Sequence, residues 1–170
     1  MFFIMNFVEP IIMSPNTLGK ELQNLIKAIL IERVQGSVTE RYGYIICVVK
    51  FMEIGSGKIL DTSGDVLFNV KYKAVVLKPF INEILDGVVE KIEPYGIHVN
   101  AGVLKIFISS SNFPGDFQYN ENTKSYKSEI QNDEVKAESE VRFRITGINY
   151  EFNEFLSTAV MNESYLGPIK

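Results

Sequence analysis

Residues 78–113 read KPFINEILDGVVEKIEPYGIHVNAGVLKIFISSSNF, and this stretch decides the fold. Apolar side chains recur at period two: Ile84/Val88 with Ile92, then Ile97/Val99, then Ile106/Ile108. Turn residues part these runs at Pro94-Tyr95-Gly96 and Ala101-Gly102. Short strands at this spacing, each with one apolar face, predict a small closed barrel. If Ile97, Val99, Ile106 and Ile108 point inward, His98 and Phe107 lie on adjacent strands and share one exterior face. Tyr95 sits at the corner beside them and Lys105 is near. Flat rings stack on any base at little entropic cost, and a cation steadies the phosphates. Tyr95, His98, Lys105 and Phe107 are therefore the candidate RNA-binding set. Packing of Tyr95 and Phe107 against a neighbouring domain or insertion is the alternative. Glu83, Asp86, Glu90 and Glu93 fall at solvent-facing strand positions and read as a solvated face.

Outward from this stretch, the barrel continues through a polar insertion, 114–136, expected to be at most partly ordered in its middle. Val141, Phe143 and Ile145 alternate with polar residues as a fourth strand, and 152–161 supplies the fifth. On the other side, Lys78-Pro79-Phe80 marks a boundary, because proline restrains the chain and cannot donate to a ladder. Before it, Val66, Phe68, Val70, Tyr72, Ala74 and Val76 alternate along a long strand with their even-spaced face toward a core. The opposite face turns apolar at Val75 and Leu77, which predicts further cover there. Residues 53–65, EIGSGKILDTSGD, form a glycine-rich loop with an apolar centre at Ile59-Leu60. Residues 2–13 read as a strand. Ser14-Pro15 suits a helix start, Leu18 through Val34 recur at three- and four-residue spacing, and Gly36 suits the stop. The expectation is two domains, 1–78 and 79–170.

Composition bounds the chemistry. The net charge is −4. Residues 1–78 carry +2 and residues 79–170 carry −6. An acidic barrel lacks the clustered lysine and arginine that tight, non-specific nucleic-acid binding needs. Guided or weak contact with a single strand remains open, since stacking does not require high net charge. One cysteine, Cys47, excludes an intramolecular disulfide and a cysteine zinc site. One histidine, His98, excludes a multi-histidine metal site. The apolar start MFFIMNFVEPIIM lacks a basic flank and is broken by Glu9 and Pro10, so it reads as neither signal peptide nor membrane span. Gly55-Ser56-Gly57-Lys58 imitates part of a phosphate-binding loop, but Met52 and Ile59 stand where that motif needs glycine and a hydroxyl. No nucleophile–base set, metal or cofactor is expected.

The order G-x-V-x-x-I-x-x-Y-G-x-x-V followed by an I-x-I-S strand resembles the oligonucleotide-binding barrel of the ribosomal S-one type. It departs from it at Ile97-His98, where such repeats usually show a small residue and then an aromatic one. The first half adds MFF at the start, Val34-Gln35-Gly36, Tyr42-Gly43-Tyr44-Ile45, Phe68-Asn69-Val70-Lys71-Tyr72-Lys73-Ala74-Val75-Val76 and Lys78-Pro79-Phe80. The chain finishes Glu163-Ser164-Tyr165-Leu166-Gly167-Pro168-Ile169. Together these are similar, end to end, to the stalk-subunit family that includes the seventh subunit of eukaryotic RNA polymerase II and an archaeal counterpart. The resemblance implies an α+β fold: a truncated ribonucleoprotein-like domain followed by an OB-fold barrel. It implies a non-catalytic, nuclear subunit paired with the fourth polymerase II subunit. The loop at Gly55, Gly57, Ile59 and Leu60 would be the tip that docks on the core near the clamp. Val75, Leu77 and Phe80 would line the partner seam, and the barrel would contact nascent single-stranded RNA. A polymerase III stalk subunit, or a free-standing RNA-binding or translation protein, is the alternative.

Overall fold

The computed structural model describes residues 1–128 and 133–169. It divides into two compact units, Met1–Lys78 and Pro79–Lys170.

The first unit runs β1 (Phe2–Met13), a single 3-10 turn (Pro15–Thr17), α1 (Leu22–Val34), β2 (Val38–Thr39), β3 (Gly43–Ile54), β4 (Lys58–Ile59) and β5 (Val66–Leu77). Its sheet has the order β1-β5-β3-β2, with β4 on β5. β5 is the axis. It pairs antiparallel with β1 along its whole length, from Phe2↔Leu77 to Met13↔Val66, and with β3 from Tyr44↔Leu77 to Ile54↔Val70. Its alternating set Val66, Phe68, Val70, Tyr72, Ala74 and Val76 is buried, as the period-two pattern requires. Ile26, Leu30 and Val34 of α1 pack in the same core with Ile11 and Met13 of β1.

The helix is shorter than its periodicity suggests. Ser14-Pro15 opens only the 3-10 turn, and Leu18 leaves the helical region before Gly19. Glycine inside a helix costs about 1 kcal/mol against alanine, so the break falls there. Leu18 and Leu25, counted on the apolar face, are exposed. The expected stop holds: the helix ends at Val34 and Gly36 takes φ +79.

β3 carries three bulges at three-residue intervals, between Ile45/Cys47, Val48/Lys50 and Phe51/Glu53. The extra residues, Ile46, Val49 and Met52, are all exposed. Each bulge bends and twists the strand. Gly43, with φ +90, lies where a Cβ would come within 2.3 Å of the Leu77 carbonyl oxygen, so the start of β3 tolerates no side chain.

The second unit runs β6 (Ile84–Glu93), β7 (Gly96–Ala101), β8 (Leu104–Ser109), a 3-10 turn (Ser110–Asn112), β9 (Phe117–Asn120), β10 (Ser125–Ser128), β11 (Glu134–Val135), β12 (Glu140–Glu151), β13 (Glu154–Val160) and β14 (Gly167–Pro168). The order β13-β8-β7-β6-β12, closed by β12 on β13, is a barrel. β8 and β13 pair in parallel and the other barrel pairs are antiparallel. Ile97, Val99, Leu104, Ile106, Ile108, Val141, Phe143 and Ile145 fill the interior. Arg142 donates two hydrogen bonds to Asp86, at 2.6 and 2.8 Å, across the β6–β12 seam.

One expectation fails here. Ile84 and Val88 face outward, at 55% and 43% exposure, while Val89 is buried. Gly87 occupies an inward position, where a Cβ would strike Val99 and the Asn100 carbonyl. A glycine is silent in an apolar pattern, so the Ile84/Val88 spacing points to the wrong face of the strand. The described part of the insertion carries structure that its composition did not announce. β9, β10 and β11 form their own three-stranded sheet, with Ser125, Tyr126, Ser128 and Val135 buried. Residues 129–132 of the insertion lie outside the described residues.

Tyr72 supplies a test of the first core. Burial, then the Glu9 carboxylate, push its phenol up to about 12. A folded-state value above that of the unfolded chain means the folded state holds the proton longer. Its stabilisation is present below about pH 10 and is lost as pH rises from there toward 12. Tyr72→Phe should flatten the alkaline fall in melting temperature of the Met1–Lys78 unit. Identical alkaline slopes in the two proteins would contradict this placement.

Candidate nucleic-acid interface

The barrel face carried by β7 and β8 follows from their register. Gly102-Val103 is a two-residue turn with Gly102 at φ +68, flanked by the pair Ala101↔Leu104. A glycine of positive φ in the first central position is a hairpin turn whose twist matches the strands. From it the register runs Asn100↔Lys105, Val99↔Ile106, His98↔Phe107 and Ile97↔Ile108. Opposed residues share a face, so His98 and Phe107 stand side by side, with ring centroids 5.1 Å apart. Tyr95 joins them at 6.1 Å from Phe107. Gly96 leaves the room this needs: a Cβ there would lie 2.8 Å from the Phe107 ring.

Exposure grades across the three rings. Tyr95 is 60% exposed, whereas His98 and Phe107 are half-buried. Beside them is a cleft of ≈ 430 Å³ lined by Glu90, Lys91, His98, Asn100, Lys105 and Ile106. The structure thus brings all four sequence candidates, Tyr95, His98, Lys105 and Phe107, to one side of the barrel.

Four further residues, Glu93, Lys91, Glu154 and Tyr126, shape this face. Glu93 is the electrostatic hub. Lys91 pairs with it, and its Oε2 lies 3.7 Å from Nε2 of His98. The Lys91 ammonium, then the Tyr95 hydroxyl, hold the Glu93 carboxyl below its ordinary range, and Glu93 in turn raises the Tyr95 phenol. Lys105 is engaged by Glu154 at 2.8 Å. Both lysines of the face are therefore partly neutralised by carboxylates, in keeping with the acidic charge of this unit. Tyr126 is the fourth. Its ring is buried, and its hydroxyl lies 2.9 Å from the carbonyl oxygens of both Glu93 and Pro94. It braces the corner that presents Tyr95, from within the insertion. Burial raises its phenol above the ordinary value. Only the density of aromatic residues in 113–126 hinted at such a role.

In the first unit, the glycine-rich loop is tied to its own sheet. Gly55 donates to the Asn69 carbonyl at 2.9 Å, and Leu60 donates to Asp65 at 2.8 Å. A Cβ on Gly57 would meet Val66 at 2.6 Å and the Phe68 ring at 2.9 Å. The close approach at Gly57 is thus internal to the domain. Ile59, at the end of β4, is 66% exposed, while Leu60 is half-buried. Of the seam candidates, Phe80 is exposed and Val75 half-buried, but Leu77 is buried at 7% and does not present the open apolar side chain expected of it. Its β1 neighbours do: Phe2, opposite Leu77, and Ile4, opposite Val75, are both about two-thirds exposed.

Comparison with known proteins places these features. Residues 11–64 match the SHS2 domain found in the N terminus of Rpb7p/Rpc25p/MJ0397, and residues 78–158 match the S1 RNA binding domain. The DNA-directed RNA polymerase II subunit RPB7 of Saccharomyces cerevisiae is 36% identical over 99% of this chain and 100% of its own length. The rpb7 subunit of Dictyostelium discoideum is 35% identical over 99% of both chains. That of Schizosaccharomyces pombe is 34% identical over 98% of both. Among solved structures, the apo form of Mycoplasma genitalium RNase R covers 47% of this chain, and 13% of its own, with 17% identity and a TM-score of 0.39, a likeness too partial to bear on function. With an SHS2 domain, an S1 barrel after it, and a relative matched along its whole length, this chain belongs to the RPB7 family of RNA polymerase subunits.

Proposed function

We propose that this chain is a non-catalytic stalk subunit of DNA-directed RNA polymerase II, acting in the nucleus. It forms a heterodimer with the fourth subunit, docks on the core near the clamp through loop 53–65, and offers its barrel to nascent RNA in initiation and elongation. The full-length match of both domains, in one order, to polymerase II subunits carries this reading. Local geometry supports each part. Ile59 is an exposed apolar side chain on a loop tied to its own sheet, which suits a docking tip. Phe2, Ile4, Val8 and Ile12 of β1 are exposed, and with Val75 they make an apolar strip that a partner could cover. Three grouped rings beside a cleft suit unpaired bases, and neutralised lysines suit contact that is guided by the assembly rather than driven by charge.

Affinity purification of the tagged chain tests the assignment as a whole. Polymerase II large subunits and one small partner should co-purify; recovery of polymerase III subunits, of ribosomes, or of the chain alone would overturn it. Replacing Ile59 and Leu60 together by Asp should release the chain from the core yet leave the partner bound. Core association unchanged by that pair would refute the tip.

Two substitutions separate stacking from charge on the barrel face. Phe107→Ala should weaken binding of a single-stranded RNA oligonucleotide about ten-fold, since a stacked base is worth roughly 1–3 kcal/mol. Glu93→Gln should do the reverse: it frees Lys91 for a phosphate, strengthens binding at low salt and steepens the salt dependence by about one ion. Fluorescence anisotropy against salt concentration reads both. Weaker binding by Glu93→Gln would mean that Glu93 serves to position the rings, not to restrain the lysine.

A further inference from the structure

The turn joining β12 to β13 holds an aromatic side chain that neither packing nor backbone preference explains. Glu151 pairs with Glu154, so Phe152 and Asn153 form a two-residue turn, with φ of 52 and 60. Positive φ at both positions suits asparagine, aspartate or glycine. Asn153 fits that rule and Phe152 does not. Nor does the ring contribute to a core, because Phe152 is 95% exposed. The cross-strand pair beneath it is unfavourable as well. Glu151 and Glu154 are directly opposed, and like charges in that relation destabilise a strand pair. Lys105 compensates Glu154 from the side.

The hairpin is nonetheless held firmly. The Asn149 amide donates to Glu151 at 2.6 Å, and the Tyr150 hydroxyl donates to Asn153 at 3.0 Å. The Tyr150 and Phe155 rings pack at 5.2 Å between centroids. β13 joins β8 only from Leu156, opposite Lys105, and β12 pairs with β6 only up to Arg144. The apex therefore extends past the pairing that builds the barrel. Leu156, on the same face as the two glutamates, is a further exposed apolar group.

We propose that Phe152 is the anchor of a protein-docking knob. It inserts into an apolar pocket of a partner protein, and Glu151 and Glu154 meet lysine or arginine on the pocket rim. A strained, wet aromatic residue is unfavourable for the fold and is accounted for by an external pocket; single desolvated rings of this kind carry much of the energy of an interface. A basic rim would also relieve the opposed carboxylates. The same carboxylates count against RNA, whose phosphates they would repel. The proposal does not rest on the stalk assignment or on the RNA face.

Site-specific photocrosslinking tests it. The probe is the full-length chain with Phe152→p-benzoylphenylalanine, an aromatic replacement, made in the cell that normally makes this protein and irradiated there. A control carries the same group at exposed Asn122. The expected result is an adduct at 152, absent at 122, that survives ribonuclease and maps to a protein segment with lysine or arginine beside apolar residues. Excess unmodified chain should compete it away, and Phe152→Asn should compete about ten-fold less well or worse. Asparagine accepts the left-handed backbone, so the melting temperature of Phe152→Asn should equal or exceed that of the parent, which separates lost docking from lost folding. An adduct with RNA, with a second copy of this chain or with an acidic segment, equal competition by Phe152→Asn, or no adduct above the control would overturn the proposal.

Discussion

The register between β7 and β8 is the constraint on which the barrel face depends. Gly102-Val103 allows one pairing, and that pairing places Ile97, Val99, Ile106 and Ile108 inside and His98 and Phe107 outside. A slip by one residue would put both rings in the core and four aliphatic side chains in water. Burial and presentation are thus one event. The apolar set that closes the barrel is also what holds the rings against each other, and Gly96 is absent of a side chain where Phe107 needs space.

Around this face the charges are arranged for restraint. Lys91 and Lys105 are each engaged by a carboxylate, Glu93 and Glu154 respectively, and His98 sits beside Glu93 as well. On the proposed reading, such a surface would hold RNA loosely in isolation and with little salt-driven affinity. That suits a family whose members are subunits of DNA-directed RNA polymerase II, where other subunits can supply the charge that this face lacks. The insertion contributes through Tyr126, which grips the backbone at Glu93 and Pro94, so the corner bearing Tyr95 is supported from a sheet that lies outside the barrel strands.

Much of this was legible in the sequence where side-chain pattern and backbone geometry agree. β5 could be read residue by residue, because six inward positions are apolar and buried without interruption. His98 and Phe107 could be placed outward because their neighbours on both sides are aliphatic. The pattern failed where geometry departs from strict alternation. Gly87 hid an inward position and reversed the reading of Ile84 and Val88. Gly19 shortened a helix whose apolar spacing ran on past it. Tyr126 and Phe152 were missed for a different reason: their significance lies in a long-range hydrogen bond and in a positive φ, and neither leaves a periodic trace.

The central claim is that the turn-fixed pair His98 and Phe107, with Tyr95, is the surface that meets a single strand. An amide chemical-shift map of the isotopically labelled chain, titrated with a short single-stranded RNA, tests it most directly. The account predicts shifts that saturate together and centre on residues 91–107, with Val99 and Ile106 moving less than His98 and Phe107. Shifts centred on the Met1–Lys78 unit, or none at RNA concentrations where binding is measured by another means, would contradict it.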